Sequence, residues 1–173
     1  MAAGDRQGIM DGVSALTAMM SASSPGRSIP ASPVRLLERA GVFRNRVIAV
    51  HGIYLDEEDQ RILKEHDACI VHDPASNLKC CCGFAHLKPY WEKGIHLALG
   101  TDGVCSNNSA DMFDTIKLTS LVQKMLSGDP CFLPAEELLR MAVQEGLLLY
   151  RIPSAFSTVS LINLCINRGT VCG

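Results

Sequence analysis

Three side chains that can bind a metal or move a proton stand at or just after the ends of three short apolar runs. His51, His72 and Asp102 occupy these positions. The runs are Arg46–His51, Asp67–His72 and Ile95–Thr101. Active sites of parallel α/β folds collect at the carboxyl ends of their strands, and imidazole with carboxylate suits zinc or iron. Taken singly, a buried histidine can satisfy loop carbonyls and an aspartate can make a turn. As a set, the three residues predict a functional rim.

Asp102 has the most informative surroundings of the three. Gly100 and Gly103 flank it, which lets the backbone turn tightly and leaves space beside the carboxylate. Ser106 and Asn107 follow within a Ser-Asn-Asn-Ser stretch, whose side chains commonly cap helices and hold loops. This context predicts a carboxylate on a shaped loop after a buried strand.

The elements that must position these residues alternate along the chain. Ser32 followed by Pro33 indicates a helix start, and Gly41 ends that helix. Helices are then expected over 56–65, 86–93 and 110–126 and from Pro134 onward. Strand, helix, strand, helix, strand, helix predicts a parallel sheet with right-handed crossovers. The sheet is an open doubly wound type or part of a (β/α)8 barrel, which needs about 250 residues when complete.

Composition bounds the function classes. The 173 residues are 47% hydrophobic and 20% charged, with a formal net charge of −2, so neither nucleic acid nor an anionic membrane is expected as a partner. Residues 1–31 form a flexible or weakly helical leader, with a short helix over Ile9–Met20, and residues 151–173 form a tail without assignment. Eight cysteines, three of them consecutive, make a poor disulfide framework and favour a reduced, cytoplasmic protein.

Three motifs occur in order and resemble those of one known family. They are His51-Gly-Ile-Tyr-Leu55, His72-Asp-Pro-Ala-Ser-Asn-Leu-Lys79 and Gly100-Thr-Asp-Gly-Val-Cys-Ser-Asn-Asn108. Together they look like the amidohydrolase superfamily, in its branch of methylthioadenosine/S-adenosylhomocysteine deaminases and triazine chlorohydrolases. The resemblance covers residues 32 to about 146.

The resemblance implies a fold and roles for single residues. The family fold is a metal-dependent (β/α)8 barrel, of which residues 32–150 would be the last three strand–helix units, an α/β partial TIM-type barrel. Asp102 would bind the metal and take a proton from water, and His51 would lie beside the water and the leaving group. The remaining candidates would position the substrate or its loops: His72, Asn77, Ser106 and Asn107. The implied reaction is hydrolytic deamination of a purine-type or related small heterocycle.

The chain also departs from the family pattern. The family carries a His-x-His pair on its first strand and a His-x-x-Glu on its fifth, but none of the five histidines here precedes His51. We therefore expect one divalent metal, zinc rather than iron, only if a homo-oligomer, a complementing chain or upstream sequence supplies the missing ligands. The expectation is a fragment incomplete for catalysis on its own. The alternative is a non-catalytic remnant or assembly partner.

Overall fold

A parallel sheet organises the chain, and helices connect its strands. The computed structural model describes residues 13–16 and 32–149. The strands are β1 (Val13–Leu16), β2 (Arg46–Val50), β3 (Cys69–His72) and β4 (His96–Leu99). They lie in the order β1-β2-β3-β4, and each neighbouring pair is parallel. The predicted parallel α/β arrangement is confirmed.

The helices follow the predicted pattern with two additions. Their bounds are α1 (Pro33–Arg39), α2 (Glu57–Glu65), α3 (Pro74–Lys79), α4 (Leu87–Glu92), α5 (Val104–Asn107), α6 (Met112–Ser127) and α7 (Ala135–Leu149). The short helices α3 and α5 have no counterpart in the sequence-based prediction. α3 begins two residues after β3 ends, and α5 begins five residues after β4 ends, just beyond Asp102, so these two helices shape the rim. Within the described residues, no helix is long and apolar enough to cross a membrane.

Strand β1 differs from the sequence-based expectation. The pattern over Ile9–Met20 favoured a weak helix, whereas Val13–Leu16 form a strand in register with Arg46–Ala49. Pairing with a neighbouring strand satisfies backbone groups that a short glycine-containing helix would hold poorly, so tertiary context decides the local structure. The rest of the predicted leader, residues 1–12 and 17–31, lies outside the described residues, as does the tail 151–173.

Side chains of β2 to β4 alternate between two buried faces. On one face Ala49, Ile70 and Leu97 belong to the large core that the helices complete. On the other face Ile48 and Ala98 belong, with a cysteine of β3, to a smaller buried cluster. Burial on both faces explains why these strands are continuous apolar runs.

Capping residues fix where the helices begin. The Ser32 side chain accepts a hydrogen bond from the Val34 amide, as its position predicted. At α2, Asp56 and Asp59 each accept from the other's backbone amide in a reciprocal capping box. These caps set the start of each crossover and hence the position of the following strand.

Helix α6 buries only part of the face that its sequence indicated, since Met112 and Ile116 pack against the core as expected. The expected apolar positions included Phe113 and Leu121, yet their side chains are 72% and 60% exposed. The buried positions are Thr115, Thr119 and Gln123. The Gln123 side chain accepts from the Leu87 amide and donates to the Ala85 carbonyl, so it satisfies buried backbone that an apolar residue would leave unpaired.

Candidate functional site

The parallel register brings the candidate residues to one edge of the sheet. Val50 pairs with Val71, so His51 and His72 follow at the same level, and His72 pairs with Leu99. The His51 amide donates to the Val71 carbonyl, and the Gly100 amide donates to the His72 carbonyl. The predicted rim is therefore formed at the carboxyl end of β2, β3 and β4.

Two of the rim residues have unusual backbone geometry. His51 has φ of 73° and Asp102 has φ of 58°, both in the left-handed region that L-residues rarely adopt. Such a conformation typically costs about 1–3 kcal/mol and persists only where the surrounding structure holds it. The left-handed conformation turns the chain sharply at His51, after β2, and at Asp102, beyond β4. At these two residues the side chains therefore no longer alternate between the two faces of the sheet.

The His51 ring is held on one side by two polar groups. Its Nδ1 lies 2.8 Å from Asn77 Oδ1 and 3.7 Å from Asp73 Oδ2. His51 is 8% exposed, so these contacts are largely shielded from solvent. The structure thus brings together His51 and Asn77, which the sequence analysis had placed near the site separately.

Asp102 is the exposed carboxylate of the rim. Its Oδ2 accepts a hydrogen bond from Ser76 Oγ at 2.6 Å, and its Oδ1 accepts from the Gly103 amide at 2.7 Å. The Ser76 hydroxyl above all, with the Gly103 amide and Ser106, holds the pKa of Asp102 below its usual range against a smaller effect of burial. Asp102 is therefore ionised near neutrality and able to bind a cation or take a proton.

Asp73 is a member of the site that the sequence analysis did not single out. It is 2% exposed. Burial raises the pKa of Asp73 to about 6, with His51 opposing the rise and the charge of Asp102 adding to it. Asp73 and Ser76 both stand inside the second motif, between His72 and Asn77. Their position directly after a buried strand is the signal that could have identified them.

His72 lies behind the rim and is 0% exposed. Neither ring nitrogen has a hydrogen-bond partner among the described residues. Burial, with a smaller effect of His51, lowers the pKa of His72 to about 3, so the ring is neutral. Its role in positioning substrate or loop stays a prediction.

The loop after β4 is tied down by the two residues proposed for it. Asn107 donates from Nδ2 to the Thr101 carbonyl at 2.7 Å, and Ser106 donates from Oγ to the Gly103 carbonyl at 3.0 Å. These are contacts that a loop-positioning residue makes on either side of Asp102. Their role in function stays a prediction.

The described residues alone do not fit a zinc site. A catalytic zinc takes three protein ligands and a water. Within 13–16 and 32–149, no group of three histidine, cysteine, aspartate or glutamate residues is placed to hold a metal ion. Asp102 can supply one carboxylate ligand, and further ligands would have to come from elsewhere.

The family profile and the similar proteins of known function agree on one family. The sequence profile of the amidohydrolase family matches residues 11–159. The 5-methylthioadenosine/S-adenosylhomocysteine deaminase of Dictyoglomus thermophilum is 40% identical over 116 residues, which are 67% of this chain and 27% of that protein.

Two solved structures share the fold of this region. An adenosine deaminase from Xanthomonas campestris with bound zinc superposes with a TM-score of 0.67 at 33% identity, covering 72% of this chain and 28% of that one. An atrazine chlorohydrolase from Arthrobacter aurescens complexed with zinc gives 0.64 at 29% identity, with the same coverage of 72% and 28%. This chain therefore spans little more than a quarter of the length of the proteins it matches.

Proposed function

Because this chain belongs to the amidohydrolase family, we propose that the carboxyl edge of its sheet contributes part of the active site of a hydrolytic deaminase. In that reaction water adds to a ring carbon, the carbon–nitrogen bond breaks and the amino group leaves as ammonia. The curated relatives are deaminases of methylthioadenosine and S-adenosylhomocysteine, which supports a purine-type substrate. A triazine-type ring is the second candidate, since a triazine-processing structure shares the fold.

The observation that carries the proposal is that His51 and Asp102 lie at the same carboxyl end of the sheet, each in a different environment. Asp102 is exposed, and two hydrogen bonds keep its carboxylate ionised, so it can accept a proton from an attacking water. His51 is fixed through Nδ1, which leaves Nε2 for the water or for the departing nitrogen. A proton acceptor and an oriented imidazole are two of the groups that a hydrolytic deamination can use beside a metal ion.

The metal is a further part of the proposal. Zinc is present in the solved relatives, and we infer a divalent metal, zinc rather than iron, in the working site. Asp102 would hold it from this chain, with the other ligands supplied by upstream sequence, a complementing chain or another copy. When bound, such a metal lowers the pKa of water to about 7.

The proposed location is a reducing, cytoplasmic one. It is supported by the free thiols among the described residues, which are Cys69, Cys80, Cys81, Cys82, Cys105 and Cys131.

A chimera tests the proposal. The matching 116-residue stretch of the Dictyoglomus thermophilum deaminase is replaced by the aligned residues of this chain. We expect the chimera to release ammonia from methylthioadenosine and to lose activity on zinc removal. The 173-residue chain alone is expected to release none, with or without added zinc. Asp102→Asn in the chimera is expected to lower kcat by about 10²–10⁴-fold, the usual contribution of a proton-transfer group.

A chimera that folds and binds about one zinc per chain would contradict the proposal if it released no ammonia from adenosine-type substrates and neither ammonia nor chloride from triazine substrates. That result would favour the non-catalytic alternative, in which the carboxyl end of the sheet serves binding or assembly.

A further inference from the structure

Asp73 stands where an aspartate normally caps a helix, but its side chain does not do so. It is the residue before Pro74 at the start of α3, and its carboxylate makes no capping hydrogen bond to that helix. Aspartate is among the most favoured helix N-caps because its carboxylate accepts from a free backbone amide. At this position the carboxylate instead lies beside Nδ1 of His51.

The structure leaves room for this carboxylate at Gly100. A Cβ atom at Gly100 would lie 2.3 Å from Asp73 Oδ1 and 2.8 Å from Val71 Cγ1. A Cβ atom essentially never lies this close to a non-bonded heavy atom, so the absence of a side chain at Gly100 is a requirement for the observed position of Asp73. The carboxylate therefore occupies a space that β4 leaves open, facing His51.

Asn77 alone does not determine which nitrogen of His51 carries the proton. An amide can turn over, so that it offers Oδ1 to a ring N–H or offers Nδ2 to an unprotonated ring nitrogen. Asn77 Nδ2 is buried without a hydrogen-bond partner among the described residues, so its other contacts do not fix the amide. Which ring nitrogen of His51 is protonated must therefore be decided by a group that can only accept, or only donate, a hydrogen bond.

An ionised carboxylate is such a group, because it accepts hydrogen bonds and never donates one. Asp73 Oδ2 at 3.7 Å from Nδ1 favours a proton on that nitrogen, and Asn77 Oδ1 at 2.8 Å then accepts it. We propose that Asp73 is a positioning residue that selects the Nδ1–H form of His51. In that form Nε2 carries a free lone pair. The catalytic use of that lone pair rests on the proposed function, whereas the protonation pattern itself does not.

Nitrogen NMR of the 173-residue chain labelled with ¹⁵N-histidine tests this proposal. An unprotonated ring nitrogen of a neutral imidazole resonates far downfield of a protonated one, so each ring reports its own form. The His51 signals are identified by their loss in His51→Gln. Above the pKa of Asp73, we expect a downfield signal at Nε2 of His51, and in Asp73→Asn we expect that signal to move toward the average of the two forms.

Asp59→Asn is the matched control. Asp59 is also 2% exposed and also stands at the start of a helix, but its ion-pair partner is Arg35. This variant is expected to leave the His51 signals unchanged, and backbone amide spectra verify that both variants fold. A downfield signal at Nδ1 in the unsubstituted chain, or identical His51 signals in Asp73→Asn, would overturn the proposal. Neither result depends on deaminase activity, so failure of this proposal is distinct from failure of the proposed function.

Discussion

The two ends of the sheet each place a histidine next to acidic or amide oxygens. At the carboxyl end, His51 Nδ1 lies near Asn77 and Asp73. At the amino end, His96 contacts Glu145 from Nδ1 at 3.2 Å and Asp67 from Nε2 at 3.1 Å. The types of groups are nearly the same, so type alone does not distinguish a reactive site from a structural one.

Their surroundings separate the two ends. His96 and Asp67 side chains are 40% and 71% exposed, and the buried Glu145 also pairs with Arg140. Solvent and a fixed cation therefore balance the charges at the amino end. At the carboxyl end, Asp73 is buried with a pKa raised to about 6, and His72 behind it has a pKa lowered to about 3. Perturbed pKa values mark the carboxyl end as the functional candidate.

His72 gives the largest expected effect on stability. Its pKa in the folded chain is about 3 against 6.5 for an unperturbed histidine, so the unfolded chain binds more protons between these values. Stability from the neutral ring is present above pH 6.5 and is lost as pH falls. At 1.36 kcal/mol per pKa unit, acidification to about pH 4 costs about 3 kcal/mol. We expect His72→Leu to abolish this loss, measured by urea unfolding at both pH values.

The same titration in His96→Leu provides the comparison with the amino end. This variant leaves His72 in place, so the loss of stability on acidification that is assigned to His72 should remain. Equal acid sensitivity in the unsubstituted chain and in His72→Leu would show that His72 is not the buried neutral group described above.

Asp73 is expected to give a smaller effect of opposite sign. Its folded pKa of about 6 exceeds the ordinary 3.8, so the folded chain binds more protons between these values and this group lowers stability as pH rises. Asp73→Asn removes the buried charge and should raise the free energy of unfolding by about 2 kcal/mol at pH 8, after an offset for the lost His51 contact. The gain should vanish near pH 4. A gain that is independent of pH would contradict this account.

Gly100→Ala should have the smallest of these effects. The added methyl group would meet Asp73 Oδ1 and Val71, and displacing the buried carboxylate and the partly buried valine is expected to cost about 1 kcal/mol, at the lower end for overpacking. Gly103→Ala is the matched control, because its Cβ would meet Cys105 Sγ at an ordinary 3.9 Å. If both variants unfold at the same urea concentration, the close approach of Asp73 to β4 is not as described.

Much of the fold and part of the site could be predicted from the sequence for physical reasons. Buried parallel strands are continuous apolar runs, so β2 to β4 and the residues that follow them, including His51 and Asp102, were identifiable. Strand β1 was not, because its pairing with β2 is a long-range contact with no local signal. The inward face of α6 was predicted only in part: Met112 and Ile116 pack against the core, but Gln123 is buried because it satisfies the backbone of Leu87.

Asp73 shows the limit of prediction within the site. The sequence analysis did not single it out, and only the space at Gly100 and the turn at His51 reveal that its carboxylate faces the imidazole. This role depends on contacts between the segments that contain His51, Asp73 and Gly100. Residue spacing along the sequence does not predict such contacts.

The most direct measurement of the central claim compares the two ends of the sheet in the chimera. We expect Asp102→Asn to lower kcat/KM for methylthioadenosine by about 10²–10⁴-fold, whereas His96→Asn changes it less than about twofold because His96 lies at the opposite end of the sheet. Equal losses in the two variants, or full activity in Asp102→Asn, would contradict the assignment of the reaction to the carboxyl end.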